Sequence, residues 1–197
     1  MHRIVSICGT SRPGNFTSRA LAVVDDELTI RGQAPQVFNA RDLTLSFPGH
    51  EPTADALRMQ EAIRGSAGVV IATPEYHGSF SAMTKLILEN MGFPSALAEK
   101  PVALVGVAAG RIGAIKSLEQ LRGVCSHVGA LVLPRSVSIA GVQGAFDDDG
   151  NCTDEEAESA LRGIAGSLLE FIEDYVCPKF ALEAKVRQDG ESWTTTV

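Results

Sequence analysis

Three short apolar runs, residues 3–8 (RIVSIC), 67–73 (AGVVIAT) and 102–107 (VALVGV), each pass directly into a loop of small polar residues and then into a helical pattern. No other feature restricts the fold as much. A strand that is apolar on both faces belongs inside a parallel sheet covered by helices, and parallel neighbours need a long crossover, usually helical. Composition agrees. The chain is 45% hydrophobic but only 6% aromatic, so its core must rest on Val, Ile, Leu and Ala.

The segments between these runs complete an alternating pattern. Residues 17–31 read as a helix with Leu21, Val24 and Leu28 on one face, stopped by Gly32. Residues 35–39 read as an edge strand, and 43–52 as a loop with two prolines and a glycine. Thr53 caps a helix over 54–66. Helices follow over 81–91 and 112–128, the latter with Ile115, Leu118, Leu121, Cys125 and Val128 at helical spacing, and a fifth strand is expected at 130–133. Thr153, with Glu156 three positions on, forms a capping box for a last helix that reaches Val176 and is ended by Pro178. The expected fold is α/β: a right-handed doubly wound parallel sheet of five strands between two helix layers, with order 2-1-3-4-5. Residues 1–177 are expected to form that domain. Residues 178–197 are expected to be a tail, either without order or packed on a neighbouring subunit; Trp193 and the threonine run favour order.

Charge and cysteines exclude several classes. The net charge of −7 repels nucleic acid, and no basic stripe offsets it. No apolar run approaches the ~20 residues that cross a bilayer, and the amino-terminal run is too short for a signal peptide. Cys8, Cys125, Cys152 and Cys177 form no close pair, so zinc, iron–sulfur and disulfide frameworks are not expected. Free thiols in a reducing cytoplasm fit that spacing.

In a sheet of this kind ligands bind beyond the carboxyl ends of the strands, where the order reverses. Three loops should meet there. The first, from Gly9 to Ser18 (GTSRPGNFTS), precedes a helix whose amino end favours an anion. Ser11, Asn15, Thr17 and Ser18 offer donors, Arg12 a charge, and Gly9 and Gly14 tight turning. Neither GxGxxG nor GxxxxGK[ST] is present, and the loop suits a terminal phosphate monoester. A plain turn capped by Asn15 or Thr17 is the simpler reading of this loop alone. The second loop, 73–81 (TPEYHGSFS), can project Tyr76 and His77 at the sheet edge against a flat ring; a surface histidine is the simpler reading of His77, and Glu75 either caps a helix or pairs with a cation. The third, 108–113 (AAGRIG), places Gly110 and Arg111 before a helix whose dipole gains nothing from the arginine, which favours a ligand role.

Together these segments resemble the NADPH-dependent FMN reductases, the flavodoxin-like group that includes bacterial quinone, azo and chromate reductases. GTSRPGNFTSRAL is similar to that family's GSxRxxSxN loop, PEYHGSFSAMTKLILEN to its PEYNxSxPGxLKNAID segment, and AAGRIG to its S-x-GR-x-G loop. The likeness runs from about residue 3 to 176. It implies bound FMN and hydride donation by NADPH or NADH. It implies phosphate contacts from Ser11, Arg12, Asn15, Thr17 and Ser18, with Phe16 in the same binding set. Ring contacts are implied from Pro74, Glu75, Tyr76, His77 and Gly78, and further ring or nucleotide contacts from Ala109, Gly110 and Arg111. His77 and Ser81 depart from the pattern, which has Asn and Pro there, and put the shape of the substrate pocket in doubt.

The chemistry would fall on flavin N5, with no side-chain acid or base and His77 the only proton source near neutral pH. The expected activity is ping-pong transfer from NAD(P)H through FMN to a small-molecule acceptor: a quinone, free flavin, azo compound or metal ion. An electron carrier like flavodoxin and a domain without cofactor are the competing readings. Met83, Leu86, Ile87 and Met91 exceed what one core-facing stripe needs, so a homodimer or homotetramer through 81–91 and 112–128 is expected, against a fully internal helix.

Overall fold

A computed structural model describes residues 2–189. Strand β1 (Ile4–Cys8) lies between β2 (Gln36–Asn39) and β3 (Gly68–Tyr76), and β3 pairs in turn with β5 (Pro101–Val107), all in parallel. Beyond β5 the fifth position holds two short pieces, β6 (Leu131–Val132) against Pro101–Val102 and β7 (Val137–Ile139) against Val105–Val107. The order is thus the expected 2-1-3-4-5, with its last member broken. Only its first half lies in the expected 130–133 segment. Pro134 separates the halves, because a proline has no N–H to carry the ladder onward.

Alternation along the strands builds two cores. Ile4, Cys8, Val70, Ala72, Ala103 and Val105 face α1 (Phe16–Ile30) and α5 (Glu155–Phe171). Val5, Ile7, Val69, Ile71, Val102 and Leu104 face the opposite layer, α2 (Ala54–Arg64), α3 (Ala82–Glu89) and α4 (Ile115–His127). Both faces of the sheet are therefore dry, as the three apolar runs require.

Caps explain where the helices begin. Asn15 accepts from Ser18 N–H at 2.7 Å, Thr53 from Ala56 N–H at 3.2 Å and Ser81 from Thr84 N–H at 3.0 Å. The expected capping box of Thr153 and Glu156 does not form. Thr153 N–H instead bonds Ala145 O, and Asp154 caps α5 one residue later, accepting from Glu156 and Ala157 N–H at 3.0 Å each. Helix α4 starts at Ile115 rather than 112 because Gly113 takes a left-handed φ of 78°.

Pro178 does not end the last helix. A π turn over Ile172–Val176 widens the helix ahead of the proline ring, and α6 (Cys177–Asp189) runs on. Trp193 and the threonine run lie outside the described residues. All four cysteines are free thiols. No described helix is long and apolar enough to cross a membrane.

Ile87 and Met91 are each only 1% exposed and belong to the second core, while Met83 and Leu86 are half-buried. Two of the four residues expected at a subunit interface are therefore internal.

Candidate functional site

The loops after β1, β3 and β5 open onto one cleft of about 250 Å³ beyond the carboxyl ends of the strands. Hollows of 370 and 600 Å³ lie at the opposite end, around His2, Arg3 and Gly65, where no strand order reverses. The smaller cleft sits where doubly wound sheets take ligands.

Its first wall is the start of α1. Asn15 is buried at the cap, its Oδ1 holding Ser18 N–H and its Nδ2 donating to Arg12 O at 2.7 Å. That bond folds the 9–15 loop back over the helix end, helped by Gly14 at φ 58°. The first N–H groups of a helix have no partner inside it. Among the described residues none accepts from Phe16 or Thr17 N–H. Two free donors and the helix dipole thus meet at the cleft, with Arg12 exposed above them. Phe16 is fixed between Phe146, 6.2 Å away, and the Arg19 guanidinium, 5.1 Å from its ring centroid. Arg19 in turn donates to Asp147 O at 2.7 Å.

The second wall is the end of β3. Pro74, Glu75 and Tyr76 line the cleft. The chain then reverses through His77 at φ 53° and Gly78 at φ 77° into β4 (Ser79–Phe80), with Tyr76 opposite Ser79. Two consecutive positive φ values make this the tight hairpin turn that asparagine and glycine favour. His77 is therefore exposed at the hairpin tip and does not line the cleft. The hairpin is braced on α4: Ser79 Oγ donates to Gln120 Oε1 at 2.7 Å, and Gln120 Nε2 to Gly78 O at 3.0 Å. Glu75 resolves as a cap, accepting from Ser117 N–H at 3.1 Å.

The third wall is Val107–Ala109. Ala108 N–H donates to Ile139 O at 2.9 Å and Val142 N–H to Ala108 O at 3.0 Å. This ladder carries Val142 and Gln143 into the lining, two residues the sequence reading missed. Gly110 O accepts from Gly113 and Gly141 N–H, and Arg111 is exposed beyond the lining.

Of the fourteen residues singled out, Arg12, Asn15, Phe16, Thr17, Pro74, Glu75, Tyr76 and Ala109 are brought together; Ser11, Ser18, His77, Gly78, Gly110 and Arg111 stand outside the lining. Ser18 is engaged in the cap, its hydroxyl donating to Asn15 O at 2.9 Å. Ser81 is not at the pocket surface either: it is buried beneath it as the cap of α3. No group of three His, Cys, Asp or Glu side chains among the described residues could hold a metal. Donors at one end and an aliphatic and aromatic trough at the other match a ligand with a phosphate terminus and a flat ring.

Comparison with known proteins points the same way. The family model for NADPH-dependent FMN reductase matches residues 2–144. The chain is 30% identical to the NADH:(hydroxy)cinnamate reductase subunit CrdA of Vibrio ruber, over 86% of each chain. It is 28% identical to the NAD(P)H-dependent FMN reductase PA1204 of Pseudomonas aeruginosa, over 81% of this chain and 89% of that protein. In fold it is similar to FerB, a flavoenzyme NAD(P)H:(acceptor) oxidoreductase from Paracoccus denitrificans, with a TM-score of 0.73 at 22% identity over 89% of this chain and 99% of that one.

Proposed function

The chain belongs to the NADPH-dependent FMN reductase family, and from that premise we propose how its own residues serve an FMN-dependent NAD(P)H oxidoreductase. Bound FMN would supply the hydride-accepting and reducing chemistry between NAD(P)H and a second substrate. Everything else falls to binding and positioning.

The Phe16 and Thr17 N–H groups, the Thr17 hydroxyl and Arg12 hold the phosphate, with Ser11 closing over it from the exposed loop. Asn15 and Ser18 keep that helix end in shape through the cap. Pro74, Glu75 and Tyr76 line the ring through backbone and aromatic contact, and His77 and Gly78 fix the turn that presents them. Ala109 bounds the far side of the ring, Gly110 holds the third loop through its carbonyl, and Arg111 reaches the phosphates of the nicotinamide nucleotide. Tyr76 is 40% exposed beside the trough, which supports a flat acceptor such as a quinone or an azo compound. The four free thiols support a reducing cytoplasm. Exposed Ile112 and Ile115, just before and at the start of α4, and half-buried Met83 and Leu86 on α3 support a homodimer or homotetramer.

The observation that carries this reading is that three loops from adjacent strands line one cleft at the switch point. Stopped-flow mixing of the FMN-loaded protein with NADPH tests it. Rapid bleaching of the flavin absorbance is expected, followed by recovery on adding a quinone or azo dye. A flavin that stays oxidised under excess NADPH would leave only an electron carrier.

A further inference from the structure

Beneath the cleft, Thr73, Ser81 and Thr84 form a hydroxyl cluster that is 0%, 3% and 1% exposed. Its centre is the carbonyl of Gly9, the first residue of the phosphate-side loop. That oxygen accepts from Ser81 Oγ and from Thr84 Oγ1, the latter at 3.0 Å. Thr84 Oγ1 also lies 2.9 Å from Thr73 Oγ1, and Ser81 N–H donates to Thr73 Oγ1 at 3.3 Å. Thr73 precedes Pro74, where the ring-side loop begins. The approach is close enough to require glycine: a Cβ on Gly9 would lie 2.0 Å from Thr84 Oγ1 and 2.9 Å from Ala72 O. The pattern that the segment resembles, PEYNxSxPGxLKNAID, has Pro and Leu where this chain has Ser81 and Thr84, and neither carries a hydroxyl.

We propose that Ser81 and Thr84 are positioning residues for the flavin, clamping the root of the phosphate-side loop to the ring-side loop through the Gly9 carbonyl. The inference rests on the FMN reading above. A ligand held at both ends gains the full benefit of its second contact only when the spacing between the two sites is set in advance. Both loops leave adjacent parallel strands, and β1 and β3 are zipped together as far as Gly9 N–H on Ala72 O, at 2.8 Å. Beyond that bond the clamp replaces the ladder. Removing it leaves each loop intact but lets their separation vary. The loss should therefore fall on FMN, which spans both loops, and spare riboflavin, which has no phosphate to place.

Thr84→Val keeps the side-chain shape and deletes the hydroxyl; Thr84→Ser keeps the hydroxyl. Flavin affinity is read by quenching of FMN and of riboflavin fluorescence on titration with each protein. The expected result is FMN binding weakened roughly 10-fold in Thr84→Val, with riboflavin changed less than about 2-fold and Thr84→Ser close to the unaltered chain in both. Equal weakening of both flavins, or unchanged FMN binding in a Thr84→Val protein of lowered melting temperature, would overturn the clamp and leave a structural role only. Should Thr84→Val not fold, Ser81→Ala, which removes the other donor to Gly9, is judged by the same FMN-to-riboflavin ratio. Failure of the unaltered protein to bind FMN would instead overturn the cofactor reading on which the proposal stands.

Discussion

The carboxylate of Glu75, at the end of β3, accepts the backbone N–H of Ser117 in the first turn of α4 at 3.1 Å. Helix α4 has no side-chain cap of its own, because Ala114 holds the cap position. A residue of the ring-side loop thus caps the helix that follows the third loop, and a negative charge meets the positive end of the helix dipole. Two walls of the cleft are fastened by one carboxylate.

Glu75→Ala should therefore cost both stability and binding. Losing a charged cap is worth about 1 kcal/mol. Glu75→Gln keeps an acceptor without the charge and should lose about half as much. Urea unfolding followed by circular dichroism gives the stability change. The same variants should hold FMN less tightly, because the second and third walls are no longer fixed to each other.

His77 supplies a separate prediction. Its φ of 53° lies in the left-handed region that asparagine tolerates and β-branched residues do not. His77→Asn should be as stable as the unaltered protein or slightly more so, whereas His77→Val should lose about 1–2 kcal/mol. If the histidine matters only for the turn, His77→Asn will also reduce FMN with NADPH at an unchanged rate. A rate that falls in His77→Asn while the melting temperature holds would give the imidazole a role in proton delivery.

The same residues show what could be read from the chain alone. The three loops were legible because each follows a run of buried residues, so the switch point could be placed by counting, although β3 runs on to Tyr76, three residues past the expected end at Thr73. Asn15 and Thr53 were legible as caps because small polar side chains before apolar periodicity have few other uses. Val142 and Gln143 were not, because the strand that delivers them has only three residues and follows a proline break. Helix α6 was missed because a π turn, which absorbs the Pro178 ring, leaves no local sequence signal. The Gly9 clamp was hidden for another reason: Ser81 and Thr84 look like ordinary helix-start residues until β1 is set beside α3.

Ile112 is 76% exposed and Ile115 48%. If they form part of a subunit interface, Ile112→Lys with Ile115→Lys should shift the sedimentation-equilibrium mass toward the monomer at micromolar concentration. A mass equal to one chain at every concentration of the unaltered protein would remove the oligomer and leave these isoleucines as scattered surface residues.

Asp25, on the inner side of α1, receives the Ser6 hydroxyl at 2.5 Å, yet its pKa is raised from 3.8 to about 6. Burial is the larger cause and the serine bond offsets part of it. An acid with a folded pKa above its unfolded value binds its proton more tightly when folded. The associated stability is therefore present below about pH 4 and lost as pH rises through about 6. At neutral pH the folded chain carries a poorly solvated carboxylate, a cost of at most roughly 3 kcal/mol at 1.36 kcal/mol per pH unit. Asp25→Asn keeps an acceptor for Ser6 and removes the charge. It should raise stability by about 1–3 kcal/mol near pH 7.5 and make little difference near pH 4. Urea unfolding at the two pH values measures the contrast. An Asp25→Asn protein that is less stable near pH 7.5 would mean that the ionised carboxylate, and not burial, decides the energetics there.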